Sequence, residues 1–398
     1  MTPVTPPNTI LCLNSGSSSL KFALYQIGPE KEVLLMRGLA DRIGQAGGRF
    51  CARDGENRVA ANDEIRFDNH ASACQAILEI LKREETPRPQ AIGHRVVHGG
   101  PNYAAPQRVD AALLSALRGL IRFAPLHLPS AVAIMEVLDN LYPGTPQVAC
   151  FDTAFHRRMP EVAQRLPLPA DLWEEGIRRY GFHGLSYEYI LESLDKEGRG
   201  RLVIAHLGNG ASMAAVRDGQ PVDTTMSFTP TAGLVMGTRC GDLDPGVLIY
   251  LMRERGCNAN QLSELVNFRS GLVGVSGFSS DMKTLLDRRE NAPSAEIATA
   301  LFCYQARKFI GALAAALGGL DLLVFTGGIG ERAAPVRSEI CRELTFLGVH
   351  LDEPRNAAHA DVISTAESGC AVRVIPTNEE LMIARHTTRV LQAAARSG

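Results

Sequence analysis

Two stretches of the chain repeat one pattern: an apolar strand, a turn of small residues and a returning apolar strand. They are LCLNSGSSSLKFALYQIG, beginning at Leu11, and VIAHLGNGASMAAVRDG at Val203–Gly219. Each opens a half of similar length. A duplicated α/β domain, each half offering one hairpin turn to a shared cleft, accounts for the echo. The strand ending at Phe151 puts the boundary near Asp152. The domains are therefore read as residues 1–151, completed by a final helix over 379–398, and residues 152–378.

The rest of the chain fits that frame, because strand and helix patterns alternate throughout. Apolar runs predict strands at Ile10–Leu13, Lys21–Ile27, Ala91–Val97, Gln147–Phe151, Arg201–Leu207, Ser212–Arg217, Leu322–Phe325 and Val372–Ile375. Helical periodicity covers Ala111–Arg122 behind Asp110, Ala131–Leu141 behind Ser130, Ser294–Leu317 and Glu379 to about Ala395. The segment Met1–Asn8 reads as a disordered extension.

Composition narrows the function. A net charge of -2, with basic residues scattered, offers no field for nucleic acid. No apolar run is long enough to span a bilayer; the longest, Phe309–Leu320, stops at Asp321. The nine cysteines show neither C-x-x-C pairs nor zinc spacing, which suits buried thiols in a reducing cytoplasm.

Chemistry concentrates in loops rich in Gly, Ser, Arg, His and Asp. In the first turn, Ser15–Ser19, small residues let the backbone approach a phosphate, and Lys21 adds a point charge. The turn lacks the P-loop pattern. Taken alone it is as readily a plain hairpin. FTGGIGE at Phe325–Glu331 follows an apolar strand and precedes a helix, a second place where glycines admit an anionic ligand. Arg95 and Arg239 lie among glycines and suit bidentate contact with carboxylate or phosphate. Asp152 ends a buried strand. His183 stands between Phe182 and Gly184, and Asp244 precedes Pro245 as a helix cap or, with Asp242, as a catalytic carboxylate. Asn14 and Glu379 offer oxygens for a hard cation. Ser17–Ser19 read as phosphate donors rather than nucleophiles, since no base is tied to them.

In family order, NSGSSSLKF, GHRVVHGG, FDTAFH, YGFHGLSYEY, HLGNGAS, MGTRCGDLDPG, SGFSSDMK, FTGGIGE and TNEEL resemble the acetate kinase family of acyl-phosphate kinases over about Asn14–Ile383. The resemblance implies two duplicated ribonuclease H-like domains of the actin, Hsp70 and sugar kinase type with an interdomain cleft. It implies a cytoplasmic homodimer that moves the γ-phosphoryl group of ATP to acetate, reversibly, with Mg²⁺ (Mn²⁺ as the alternative ion). By the same carry-over, Asn14 and Glu379 hold the metal, and Asp152, His183 and Arg239 are catalytic. Arg95, Val97, Leu126, Phe182 and Pro230 take the acyl substrate. Lys21, His206, Leu207, Gly208, Asn209, Gly210, Asp281, Met282, Lys283, Gly328, Ile329, Gly330, Glu331 and Arg332 take the nucleotide. The chain departs from the family at Leu128, Thr231–Ala232, Lys283 and Arg332. These departures bear on nucleotide and acyl-chain preference rather than on reaction class.

The chemistry suits these residues. A carboxylate is already ionised at pH 7 and attacks phosphorus in line without a general base. The obstacle is anion meeting polyanion, about 4 kcal/mol for like charges at about 4 Å and an effective dielectric of about 20. Asp152 is thus expected to orient Arg95 or help hold the metal rather than act as a base. Two alternatives remain open: a propionate or butyrate kinase of the same family, and an actin- or Hsp70-like ATPase serving as a binding module.

Overall fold

The computed structural model describes residues 8–16 and 18–397. Met1–Pro7, read above as a disordered extension, Ser17, read as a phosphate donor, and Gly398 lie outside the described residues. Asn8, counted with that extension, is held in place: its N–H donates to Gln90 Oε1 at 2.8 Å and its carbonyl accepts from Ile27. The chain divides into two compact units, residues 1–155 with 378–398 and residues 156–377, so that Asp152 belongs to the first.

The first unit is built on β1 (Thr9–Ser15), which is buried along its whole length. A continuous apolar run of this kind marks a strand covered on both faces. β1 pairs antiparallel with β2 (Ser19–Ile27), with Asn14 opposite Lys21. From β2 the sheet runs outward, antiparallel, through β3 (Glu32–Asp41), β4 (Arg49–Asp54) and β5 (Val59–Glu64). On its other side β1 pairs parallel with β6 (Ala91–Val96), and β6 with β8 (Gln147–Phe151); the short β7 (Gln107–Arg108) closes that edge.

One face packs Leu11, Leu13, Phe22 and Leu24 against Ile77 and Leu81 of the helix His70–Arg83. A reciprocal Asn69–Ser72 capping box starts that helix. On the other face the last helix, Glu379–Ser397, passes so close to β6 that a Cβ on Gly93 would lie 2.4 Å from Ile383 and Thr387. Gly93 is what permits this approach.

The second unit has β9 (Arg201–Leu207), β10 (Ala211–Arg217), β11 (Gln220–Thr224), β12 (Leu322–Thr326) and β13 (Ala371–Val374), in the order β11-β10-β9-β12-β13. β9 is antiparallel to β10 and parallel to β12. This matches β3-β2-β1-β6-β8 strand for strand and sense for sense. The two sheets are therefore copies of one five-stranded plan, and the echoing hairpins are its first two strands. The long helix Pro293–Leu317 covers β9 and β10 with Phe302, Ala306, Ile310 and Leu313 buried, and stops at Gly318, whose φ is +73°.

Two helices differ from their sequence pattern. The one expected behind Ser130 begins earlier, at Leu128, because Pro129 is tolerated in a first turn where its missing N–H has no partner to lose. The helix from Ala111 is α-helical only to Gly119, and Leu120–Arg122 tighten into a 3-10 turn.

Each unit buries a neutral histidine. His94 Nε2 donates to Gln147 Oε1 at 2.7 Å, and His156 Nε2 to the Phe182 carbonyl at 3.0 Å. Burial pushes both imidazoles from 6.5 down to about 4, against the smaller opposing effect of those bonds. Between these values the unfolded chain binds the protons and the folded chain does not. Stability is thus complete above about pH 6.5 and is lost as pH falls toward about 4, by about 3 kcal/mol for each histidine. Thermal midpoints should be flat from pH 8 to about 6.5 and then fall, and His94→Gln should make the decline shallower.

Candidate active site

In the first unit, the C-terminal ends of the parallel strands bring charged side chains together, the usual location of sites in such sheets. Asn14 ends β1, Arg95 lies near the end of β6, and Asp152 follows β8. Arg95 forks onto Asp152, with Nε 2.9 Å from Oδ1 and Nη2 2.5 Å from Oδ2, while Nη1 donates to Asn14 Oδ1 at 2.9 Å. These bonds engage three of the five guanidinium N–H groups, leaving one on each Nη.

Asn14 turns its amide NH₂ to the first turn of the last helix, donating to Glu379 Oε2 at 2.9 Å and Glu380 Oε1 at 3.0 Å. Glu379 Oε2 is 4.0 Å from Arg95 Nη1. Burial disfavours the charge on Arg95, but Asp152, Glu379 and Glu380 outweigh it and hold the guanidinium protonated well above its ordinary range.

This cluster fits a hard divalent cation. It offers carboxylate and amide oxygens, and Asp152, Glu379 and Glu380 all act on the Arg95 guanidinium. Among the described residues no three His, Cys, Asp or Glu side chains form a metal site by themselves. Mg²⁺ keeps waters and binds through one or two carboxylates together with substrate phosphates, and Glu379 and Glu380 offer that number beside Asn14. Lys21 is exposed on β2 opposite Asn14. Val97, just past β6, is buried, and Leu126 is half-buried before the helix Leu128–Leu141.

In the second unit, His183 adopts a left-handed conformation, φ +60°, as it enters the helix Gly184–Leu194. Such a φ in a residue with a side chain is held by its surroundings. Here Nδ1 lies 2.8 Å from Ser212 Oγ, which also bonds Tyr187 Oη, and the ring stacks on His206 with centroids 4.3 Å apart. His206 Nδ1 in turn meets Ser186 Oγ at 2.8 Å.

Arg239 donates from Nη1 to the Pro230 carbonyl at 3.0 Å. A Cβ on Gly210 would stand 3.6 Å from both Arg239 Nη1 and His183 Nε2, so the two cationic or polar heads share the space beside that glycine. The turn Gly208–Gly210 is closed by Gly208 N–H to the Gly210 carbonyl at 3.1 Å. Its neighbour is the turn after β12: Gly327, φ +75°, fits against the backbone of Leu207, where a Cβ would come within 2.8 Å of the carbonyl oxygen. Glu331 Oε1 accepts from the N–H groups of Gly327 and Thr377. Gly328 and Arg332 are exposed, Ile329 is half-buried and Gly330 is buried.

The structure thus gathers His183, His206–Gly210, Arg239 and Gly327–Gly328. Asp281, Met282 and Lys283 are engaged locally instead. Asp281 caps its helix through Thr284, and those bonds lower its pKa; Met282 is buried; Lys283 pairs with Asp287 at 2.5 Å. Phe182 is buried, with its carbonyl held by His156. Of the other carboxylates, Asp242 accepts from Gly233 N–H at 2.7 Å and Asp244 caps the helix Pro245–Arg255.

Glu380, Ser212 and Tyr187 were not singled out by sequence. Glu380 shares the TNEEL motif with Glu379, which was a usable signal. Ser212 lies within HLGNGAS but looked like a turn residue.

The sequence model of the Acetokinase family matches residues 9–385. The acetate kinase of Rhodopseudomonas palustris is 46% identical over 400 residues, covering 96% of this chain and 98% of its own. That of Heliobacterium modesticaldum is 42% identical over 398 residues, covering 96% and 99%. Among solved structures, the acetate kinase of Porphyromonas gingivalis superposes with a TM-score of 0.87 at 38% identity, covering 96% of this chain and 100% of its own. A propionate kinase from Francisella tularensis gives 0.90 at 35% identity, again covering 96% and 100%.

Removing one partner of the Arg95–Asp152 pair strands a buried charge. Asp152→Ala and Arg95→Ala should each cost about 3–5 kcal/mol in denaturant unfolding, and the double substitution should cost less than their sum.

Proposed function

The chain belongs to the acetokinase family, and we propose that it transfers the γ-phosphoryl group of ATP to acetate, giving acetyl phosphate and ADP. An acetate oxygen forms a bond to the γ-phosphorus, the bond from that phosphorus to the bridging oxygen breaks, and its electron pair leaves with ADP. The observation that carries the reading is the cluster at the ends of β1, β6 and β8, where Asp152 fixes a guanidinium with one N–H left on each Nη. That edge matches a carboxylate or a phosphoryl group. Because acetate arrives ionised, Asp152 has no proton to take, and its two oxygens serve to aim Arg95.

Asn14 and Glu379, with Glu380 beside them, would hold Mg²⁺, which when bound offsets the charge of the triphosphate. Lys21 adds a second positive charge on the same strand pair. In the second unit, His183 and Arg239 stabilise the charge spread over the phosphoryl oxygens. The turns at His206–Gly210 and Gly328–Arg332 supply backbone N–H groups to the nucleotide. Val97, Leu126, Phe182 and Pro230 are the residues that the family resemblance assigns to the acyl group. The reading keeps Asp281–Lys283 as nucleotide residues only through their backbone and the buried Met282, since the two charged side chains are already occupied.

The propionate kinase likeness supports a second substrate, since one methylene is worth only about 1–3 kcal/mol in an apolar pocket. The reading places the enzyme in the cytoplasm; the buried thiols of Cys12, Cys74, Cys303, Cys341 and Cys370 are consistent with a reducing compartment. No helix of the described residues is long and apolar enough to cross a membrane.

A homodimer belongs to the same reading. The helix Pro245–Arg255 has no buried residue, although Val247, Leu248, Ile249, Tyr250, Leu251 and Met252 run consecutively, with Tyr250 55% and Met252 51% exposed. A second copy covering this face removes that surface from water. Light scattering should give twice the chain mass, and Ile249→Glu with Tyr250→Glu should shift it toward the monomer.

Hydroxamate trapping of acyl phosphate, with acetate, propionate and butyrate and with ATP or pyrophosphate as donor, tests the reaction. Acetate with ATP should give the highest kcat/KM. ATP consumption independent of any carboxylate would instead indicate an ATPase module. Arg239→Ala should lower kcat by about 10³-fold or more, the scale of an arginine that stabilises a transferring phosphoryl group. A loss below tenfold would remove Arg239 from that role.

A further inference from the structure

Arg337 is the largest side chain fully buried in the described protein. It lies on the helix Ala334–Cys341. Burial lowers its pKa to about 10, which still leaves it charged at neutral pH. A buried cation ordinarily sits against a carboxylate. None of the hydrogen bonds of Arg337 goes to one.

Its five N–H groups are instead spread over neutral acceptors. Nε donates to Asn356 Oδ1 at 2.7 Å. Nη1 donates to the carbonyls of Gly330 and Glu331 at 2.8 and 3.1 Å. Nη2 donates to the Asn356 carbonyl at 2.8 Å and to His359 Nδ1 at 3.1 Å.

The carbonyls explain the arrangement. Gly330 and Glu331 belong to the last turn of the short helix Gly327–Arg332, and Asn356 to that of Glu353–Ala357. Carbonyls at a helix C-terminus lack partners within the helix and carry the negative end of its dipole. One planar guanidinium therefore joins two helix ends, and the Glu353 carboxylate, which accepts from Ser338 Oγ and Asn356 Nδ2, favours its charge from beyond hydrogen-bond contact.

Asn356 is fixed in turn: its Nδ2 donates to the Ala334 carbonyl at 3.1 Å and to Ser338 Oγ at 2.7 Å. At the other end of Gly327–Arg332, Glu331 Oε1 gathers the N–H groups of Gly327 and Thr377. Between these two anchors Gly328 is exposed, and a Cβ placed on it would meet nothing within 4 Å.

We propose that Arg337 is a positioning residue for the nucleotide: it clamps the C-terminal end of Gly327–Arg332 so that the N–H groups of Gly328 and Ile329 keep the direction that ATP requires. This rests on the reading of that turn as a nucleotide loop. Lysine cannot replace it, because an ammonium has three donors at one point and no planar fork to reach two helix ends.

The test compares Arg337→Lys with the whole wild-type chain. Expected are a rise of about tenfold or more in KM for ATP, KM for acetate within about twofold, and faster amide exchange confined to residues 327–332 and 353–359. His359→Ala removes only the exposed acceptor and does not threaten folding. It should raise KM for ATP about two- to threefold, with the thermal midpoint held.

An unchanged KM for ATP in both variants overturns the proposal. So does an equal rise in both KM values that tracks a fall in thermal midpoint, since that is the mark of a purely structural residue. A wild-type chain that forms no acyl phosphate from ATP overturns the functional reading itself, and the role of Arg337 with it.

Discussion

Arg95 cannot be buried at the end of β6 unless its charge is cancelled, and the carboxylates that cancel it come from β8 and from the last helix of the chain. The consequences reach across the first unit. Asp152 ties β8 to β6, Asn14 ties both to β1, and Glu379 and Glu380 bring in a helix more than 360 residues away from Asn14 in sequence. The carboxylates also stand in the first turn of that helix, where the dipole favours negative charge. The same helix needs Gly93, two residues before Arg95, in order to pack. Charge and packing therefore specify one placement, and the first unit cannot be completed without the end of the chain.

The two sheets share one strand plan but use its ends differently. In the first unit the ends of β1 and β6 carry Asn14 and Arg95, polar groups that answer charge with charge. At the corresponding ends of β9 and β12 stand Leu207 and Gly327, whose backbones touch. Glycine there brings two turns together. On the proposed function, a duplicated scaffold has one end for ions and another for backbone recognition of an anion. Neither chemistry alone suffices for phosphoryl transfer, which needs the acceptor's charge balanced and the donor's phosphates oriented.

The sequence shows the strands that are buried on both faces, because their apolar runs are continuous: β1, β8 and β12 are examples. It does not show β3, β4, β5, β7 or β11; of these, β5 and β7, with residues VAANDE and QR, are largely exposed at the sheet margin and carry no alternation. It shows Asn14 and Asp152 at the ends of apolar strands, and Arg95 as an arginine set among glycines. It does not show that Glu380 shares Asn14, or that Ser212 and Tyr187 hold His183, because those partners meet only after distant segments pack. Family resemblance likewise gives a position without giving what its side chain is doing. Asp281 and Lys283 match a nucleotide motif, yet each satisfies itself within one helical turn, as a cap and as an i, i+4 pair.

Arg95 and Arg337 show why burial alone does not make an arginine a site. Burial opposes the charge of both. At Arg95 three carboxylates overcome that effect and drive the pKa up, and one N–H is left on each Nη. At Arg337 the neutral acceptors and the nearby Glu353 carboxylate do not overcome it, the pKa falls, and every N–H is spent. A guanidinium with donors to spare can still bind something. One with no donors left has already bound its ligand, which is the protein's own backbone. On the proposed function, that distinction separates an arginine suited to meet the substrate from one suited to hold a loop in place, and it follows from donor count and charge balance.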